Sequence, residues 1–458
     1  MERFASQYLG QWLKSRRRKP LILRGARQVG KSTLVRNFAK QQKIQLFEIN
    51  LERHLELEKV FAGLDIAVIR GELEALVGGS ITTPGSLLFL DEIQATPSAL
   101  QALRYFYEDL PEVVVVAAGS LLEFTLAEHD FSMPVGRVEY FHLGPMSYRE
   151  FLQAVEPPLC RYLDELDFSS RLPDAAHQKL LERQRQYLFV GGMPEAVLAF
   201  QESKSFEEVV RVQRRITSTY EDDFAKYARH GELALLQRVF RLIPRQVGHK
   251  VKYVHFSREN RSREVKTSID LLAKAMVCHR VFASHCSGVP LAADIDEFVY
   301  KLLFLDVGLM NYLCGLDWPT LRNLDAHQLI NEGAVAEQFV GQHLAYLHGG
   351  VEPPRLVYWL REGRKNNAEV DYVISRGAEI FPVEIKAGSS GTLRSLHQFV
   401  ALGKAVKAVK AIRFDTNQPS WQRVVQKVPV ADAYKEISFE LFSLPLYAVG
   451  ELSRLLRK

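Results

Sequence analysis

Apolar positions along the chain fall into short runs separated by stretches of helical spacing. Leu21 to Arg24 is a short apolar run with Gly25 directly after it, and Ser32 to Lys40 sets Leu34, Val35 and Phe38 on one face, which predicts a helix. Leu87 to Leu90 and Val113 to Ala118 are two more strand-like runs, with a helical stretch from Ala99 to Leu110 between them. Strands that alternate with helices imply a parallel sheet covered on both faces. Residues 1–147 therefore read as an α/β nucleotide-binding domain.

Gly144-Pro145 and Pro157-Pro158 then punctuate the chain. Residues 148–230 carry a helical pattern, a lid or linker region, broken once at Gly191-Gly192-Met193-Pro194. Residues 231–325 read as helices followed by short extended pieces such as Val251 to Phe256, an order that suggests a winged helix-turn-helix. Residues 326–458 change character again. A helix from Ala334 to Leu347 precedes strand-like runs at Leu356 to Leu360, Val370 to Ile374 and Ile380 to Ile385, with a further helix from about Thr392. This reads as a separate C-terminal α/β domain. There are no internal repeats or low-complexity tracts.

Composition narrows the class. A chain of 458 residues suggests about three domains of ~150 residues, and 47% hydrophobic with 25% charged is an ordinary globular balance. The formal charge of +5 is too mild to indicate nucleic acid by itself. The cluster Lys250, Lys252, Arg258, Arg261, Arg263 and Lys266 is locally basic, but Glu259 and Glu264 dilute it, so it reads as a solvated face or as a grip on phosphates. The longest apolar runs are far too short to span a bilayer, and Met1 to Pro20 lacks the apolar core of a secretory signal. Cys160, Cys278, Cys286 and Cys314 are scattered with no C-x-x-C pair, which fits a reduced cytosol. Cys278-His279 and His285-Cys286 do not have zinc-finger spacing and read as buried thiols and surface imidazoles.

The strongest chemical signal is Gly25, Ala26, Arg27, Gln28, Val29, Gly30, Lys31 and Ser32, which matches G-x-x-x-x-G-K-[ST] between a strand and a helix. The two glycines let the backbone curl so that its N–H groups face phosphate oxygens. The helix N-terminus adds partial positive charge, Lys31 adds a full one, and Ser32 offers a hydroxyl to Mg²⁺. The expected ATP-binding stretch runs on to Thr33. Leu87 to Leu90 then ends in Asp91-Glu92. There Asp91 would hold the Mg²⁺ hydration shell and Glu92 would orient the attacking water. Ala118-Gly119-Ser120 follows the next strand, and Ser120 is the candidate for touching the γ-phosphate or the water. Pro134-Val135-Gly136-Arg137 supplies an arginine that could stabilise the transferring phosphoryl group, in cis or across a subunit boundary; the alternative for Arg137 is a surface ion pair.

These residues resemble a known family. Lys19 to Leu34, Leu90 to Gln94, Ala118 to Ser120, Gly136-Arg137, Leu143 to Leu152, Tyr187 to Glu195 and Lys301 to Leu309 look like blocks of prokaryotic AAA-type ATPases that carry a C-terminal domain of unknown function. The resemblance covers nearly the whole chain. It implies ATP binding and leaves open what the ATP drives.

The C-terminal region offers a second constellation: Glu337 on a helix, Asp371 after Glu369 and Val370, then Glu384-Ile385-Lys386 on the next strand. This order resembles the PD-(D/E)xK nuclease superfamily, with Val370 in place of the motif's proline. Asp371, Glu384 and Glu337 would ligate one hard cation. Residues 384 and 386 share a strand face, so Lys386 would sit beside the metal and position water. The opposing reading pairs these acids with Arg361, Arg364 and Lys365.

The expected function is Mg²⁺-dependent ATP hydrolysis coupled to a nuclease-like domain acting on DNA. The alternative is a nucleotide-controlled switch whose C-terminal domain recognises a partner without cleaving it. A stand-alone ATPase with an inert tail is a third reading. The expected partners are ATP, DNA and a second copy of the chain, with no membrane.

Overall fold

The computed structural model describes residues 1–120, 136–168, 171–226, 232–323, 332–362, 367–388, 391–403, 410–430 and 433–457. Pro134, Val135, Arg364 and Lys365 lie outside the described residues. The chain forms two compact units. The first comprises residues 1–144 with 270–277 and 348–353; the second comprises 145–269, 278–347 and 354–458.

The first unit runs α1 (Ala5–Leu13), β1 (Leu21–Arg24), α2 (Lys31–Gln42), β2 (Gln45–Asn50), α3 (Leu57–Ala62), α4 (Ile66–Val77), β3 (Ser86–Asp91), α5 (Pro97–Asp109), β4 (Val115–Ala118) and β5 (Glu139–His142). The strands form one sheet in the order β2-β3-β4-β1-β5, and every pairing is parallel. Inner strands β3 and β4 are buried at every position, as unbroken apolar runs are when helices cover both faces. Edge strand β2 instead alternates half-buried and buried residues after exposed Gln45. Leu88, Leu90, Leu100, Leu103 and Phe106 pack with Ile22, Phe47 and Ile49 into one core. Asp65 caps α4 by accepting from the Ala67 and Val68 N–H groups, which satisfies donors that a helix start leaves unpaired. This is the P-loop type of α/β fold expected from the alternating pattern.

The second unit begins with helices α6 (Tyr148–Val155), α7 (Cys160–Glu165), α8 (Asp174–Val190), α9 (Pro194–Ser203), α10 (Phe206–Phe224) and α11 (Leu233–Gln246). Helix α12 (Ser262–Lys274) follows, its residues from 270 on counted with the first unit, then β6 (Cys278–Ser284), β7 (Ile295–Phe304), α13 (Val307–Leu313), α14 (Trp318–Asn323) and α15 (Glu332–Leu344). The chain ends with β8 (Leu356–Arg361), β9 (Ala368–Arg376), β10 (Glu379–Ile385), α16 (Arg394–Leu402), β11 (Lys410–Asp415), β12 (Ser420–Val430), β13 (Ala433–Pro445) and α17 (Leu452–Leu455). Eight strands make one mixed sheet in the order β12-β13-β11-β10-β9-β8-β6-β7.

Two features differ from the sequence pattern. Val251 to Phe256 is not a strand: Tyr253–His255 is a 3-10 turn, and strand-like contact is limited to the Val251 N–H donating to the Tyr300 carbonyl at 2.9 Å. The hairpin after the helix pair is instead β6–β7, and β6 pairs in parallel with β8. That hairpin is the edge of the C-terminal sheet, which therefore runs across residue 325. Cys278 and Cys286 are buried thiols. Among the described residues, no helix is long and apolar enough to cross a membrane.

Three of the sequence blocks meet in the core of the second unit. The Met146 N–H donates to the Gly192 carbonyl at 2.6 Å, and the Gly192 N–H donates to Asp306 Oδ2 at 2.6 Å. Tyr187 Oη donates to the Met146 carbonyl and accepts from Gln342 Nε2. A Cβ at residue 192 would stand 2.1 Å from the Met146 carbonyl oxygen, so only glycine fits there. Ser147 and Glu150 close a capping box at the start of α6. His343 is buried beside it: Nε2 accepts from the Tyr148 N–H at 2.8 Å, and Nδ1 bonds to the Phe339 carbonyl at 2.7 Å. These partners require the neutral ring with its proton on Nδ1.

Burial pushes the His343 pKa down to about 4, against the hydrogen bond to the Phe339 carbonyl and the charge of Glu150. An unfolded chain takes up this proton near the ordinary 6.5 and the folded chain only near 4, so acid in that window favours unfolding. We expect the unfolding midpoint of the chain to fall as pH drops from 6.5 toward 4. Thermal scans across that range should show a shallower fall in His343→Gln, whose amide keeps a donor and an acceptor without titrating; an equal slope would exclude His343 as the cause.

Candidate functional site

Register builds the phosphate site. Leu23 of β1 and Asp91 of β3 both pair with Ala118 of β4. The C-terminal ends of the three strands are thus level, and Gly25, Asp91-Glu92 and Gly119-Ser120 leave the sheet at one edge. This is where ligands sit in open parallel sheets.

The loop has the backbone its sequence requires. Gly25 (φ +155°), Gln28 (φ 65°) and Gly30 (φ 93°) all have positive φ, which turns successive N–H groups inward. A Cβ on residue 25 would come 2.3 Å from the Leu143 carbonyl oxygen, which excludes any side chain there. Ala26 and Val29 are buried, Arg27 and Gln28 are half-buried, and Thr33 is exposed in the first turn of α2. Lys31 is buried, and its Nζ donates to the Gly25 and Ala26 carbonyls at 2.9 and 3.0 Å. Burial lowers the Lys31 pKa to about 8 against the opposing pull of Glu92 and Asp91, with Arg27 adding to the depression.

Ser32 Oγ donates to Asp91 Oδ1 at 3.0 Å, joining residues 59 positions apart. Burial raises the Asp91 pKa, and the Ser32 hydrogen bond holds part of that rise back. Glu92 turns the chain in a left-handed conformation (φ 53°), a strained backbone typical of working sites. Its N–H donates to Asp91 Oδ1 at 3.1 Å, and its carboxylate accepts from Gln94 Nε2 at 2.5 Å. Ser120 is buried, and among the described residues its Oγ has no hydrogen-bond partner; the same holds for Gln28 Oε1. A buried hydroxyl left so costs about 1–3 kcal/mol. A hydroxyl and carboxylate in contact, a buried lysine and an unpartnered hydroxyl at one sheet edge suit a nucleotide with Mg²⁺. Ser32 and Asp91 would hold the cation.

One contributor has no sequence signal. Arg3, buried, donates through Nη1 to the Val29 carbonyl at 2.9 Å and through Nη2 to the Gly144 carbonyl at 2.8 Å. It pins the phosphate loop from beneath. An arginine just ahead of an amphipathic helix reads as a solvated charge, and nothing in the local pattern reveals its target.

Arg137 is not at this edge. Glu139 pairs with Leu21 and His142 with Arg24, so Arg137 precedes the N-terminal end of β5 while the phosphate loop follows the C-terminal end of β1. The two lie on opposite edges of the sheet, a four-residue strand (roughly 13 Å) apart. Arg137 Nε instead donates to Glu108 Oε1 at 2.6 Å, and Arg104 shares that carboxylate. A role in cis is thereby removed.

In the second unit, the structure gathers the acids of the C-terminal motif. Asp371 lies on β9 and Glu384 on β10, adjacent antiparallel strands with Val383 opposite Tyr372. Asp371 Oδ2 accepts from the Ile385 N–H at 2.7 Å, and Glu384 Oε1 accepts from Lys386 Nζ at 2.6 Å. Burial raises both carboxyl pKa values; Glu337 adds to the rise at Asp371, and Lys386 opposes the rise at Glu384. Glu337 on α15 bonds to Lys301 at 2.9 Å. Arg361, an expected partner of these acids, bonds to Gln398 instead. Among the described residues, no three carboxylates, imidazoles or thiols are grouped so as to hold a metal ion. Asp371 stands in the field of both Glu337 and Glu384, and among the described residues Glu384 Oε2 is buried with no hydrogen-bond partner. Lys252, Arg258, Arg261, Arg263 and Lys266 are exposed, while Lys250 pairs with Glu362.

Comparisons with known proteins match three stretches of the chain. None of the curated proteins compared with it matches. Among solved structures it is similar to one titled "Structure of C. elegans PCH-2", at 12% identity with a TM-score of 0.24, over 44% of this chain and 59% of that one. The chain thus spans less than two thirds of that relative's length. Residues 181–320 match a domain of unknown function (DUF8612), and residues 332–432 match another (DUF4143). Residues 17–152, which contain the phosphate loop, Asp91-Glu92 and Ser120, match the AAA domain.

Proposed function

We propose that the first unit binds and hydrolyses ATP with Mg²⁺, and that this cycle controls the second unit as a recognition module. The observation that carries the reading is the 3.0 Å contact of Ser32 Oγ with Asp91 Oδ1, which joins the helix of the phosphate loop to the acid at the end of β3. Mg²⁺, when bound, neutralises charge on the phosphates. Lys31 adds positive charge to the same oxygens, and the loop N–H groups cradle them. Glu92 orients the attacking water and takes its proton. Ser120 supports that water or the γ-phosphate. Arg137 is left to act across a subunit boundary, on the ATP of a second copy of the chain.

A second reading, ATP-linked cleavage of DNA, draws on Asp371, Glu384 and Lys386 standing on one sheet and on the exposed basic side chains of residues 252–266. The pairing of Glu337 and Glu369 with buried Lys301 favours the recognition module.

Lys31→Ala should weaken ATP binding by about 10- to 100-fold, the worth of a charge-assisted contact. Glu92→Gln should keep ATP binding and lose turnover by about 10²- to 10⁴-fold. Calorimetric binding and phosphate release measure the two separately; normal turnover in Glu92→Gln would move the base elsewhere.

Lys31 also predicts a pH dependence. With its pKa near 8 in the free protein, it is largely neutral at pH 9, and phosphate contact restores the charge. ATP binding at that pH should take up a proton, seen as a buffer-dependent binding enthalpy. Lys31→Arg, charged throughout, should show no uptake.

Adding DNA to the ATPase assay separates the two readings. Turnover indifferent to DNA, with the DNA intact, supports the recognition module. Stimulated turnover with cut DNA would replace that reading with the nuclease one.

A further inference from the structure

The acids of the second unit already hold a cation, and it belongs to the chain. Lys301 lies on β7 and is 1% exposed. Its Nζ donates to Glu337 Oε1 at 2.9 Å and pairs with Glu369. The Tyr358 ring lies 5.0 Å away and offers the ammonium an electron-rich face. Glu369 and Asp371 are two residues apart on β9 and share a face, so Asp371 also stands in the field of Lys301. Glu337 lies against Gly248, where a Cβ would come 3.1 Å from Oε2. Asp371 is held by the Ile385 N–H, and Glu384 by Lys386.

Each acid that the motif would offer to a metal has one oxygen bonded within the chain, and among the described residues Glu384 Oε2 is the buried carboxylate oxygen of the set left without a partner. Hard divalent cations need several oxygens converging at about 2.0–2.6 Å. An ammonium needs only acceptors for its three protons, which Glu337 and Glu369 help to supply. A charge with almost no exposure persists only when paired in this way.

We infer that Lys301 takes the place of a divalent cation in the C-terminal constellation, so that the site is a clamp joining α15 to β7 and β9 and takes no Mg²⁺. A single ammonium balances carboxylates but does not generate hydroxide from bound water as a metal does. The unit keeps the residue order of a metal-dependent nuclease without its metal chemistry. This deepens the recognition-module reading, and its test reads metal binding and unfolding rather than ATP turnover, so either can fail alone.

The full chain carrying Ser32→Ala and Asp91→Ala, which removes the divalent ligands of the first unit, is titrated with Mn²⁺ alone and followed by electron paramagnetic resonance. The expected result is no binding tighter than about 1 mM. One bound Mn²⁺ per chain that disappears when Asp371→Asn is added would overturn the inference. In the otherwise unaltered chain, Lys301→Met should lower the unfolding midpoint by on the order of 10 °C, because buried Glu337 and half-buried Glu369 lose their partner. An unchanged midpoint would equally overturn it.

Discussion

The first unit depends on the register of three parallel strands. Because Leu23 and Asp91 both stand beside Ala118, the phosphate loop, the acidic pair and Ser120 emerge level with one another. A slip of one residue would turn Asp91 to the opposite face of the sheet and break its contact with Ser32. Strand β4 between β1 and β3 sets the spacing across the site, and the uninterrupted apolar character of β3 and β4 keeps that spacing rigid. Arg3 holds the loop from beneath, so the loop's positive-φ backbone is supported on both sides.

The second unit answers a different constraint, the cost of burying polar groups. Asp306, Tyr187, Gln342 and His343 are buried, and each is matched to a backbone or side-chain partner. Lys301 is the extreme case: a nearly inaccessible ammonium balanced by two carboxylates. Such networks add little net stability over an apolar core, but they admit few alternative arrangements. They join helices α6, α8 and α15 to the turn after β7, and this gives the blocks 143–152, 187–195 and 301–309 a structural meaning: each supplies one side of the same buried node.

Much of this was legible along the chain. Strands at 21–24, 356–360 and 380–385 and the helix from 32 lie where the apolar runs put them, because each is bounded by glycine, charge or a clear change of period. The P-loop was legible for the same reason, since its function is carried by adjacent residues. Val251 to Phe256 misled because an extended-looking run becomes a strand only where a neighbour pairs with it, and only Val251 has one. The long hairpin β12–β13 escaped notice because β12 is mostly exposed, and its valines at 424, 428 and 430 are broken up by charged and polar neighbours.

The sequence by itself determined that a nucleotide-binding loop, an acidic strand end and a polar residue after the next strand are present, because local spacing and backbone chemistry suffice for each. The tertiary structure alone decided which of them meet. It put Ser32 against Asp91, sent Arg137 to the far edge of the sheet, brought Arg3 under the loop, and set Lys301 among Glu337 and Glu369. The physical reason is that a side chain's role here depends on strand register and on which buried charge needs a partner, and both are fixed by residues far apart in the chain.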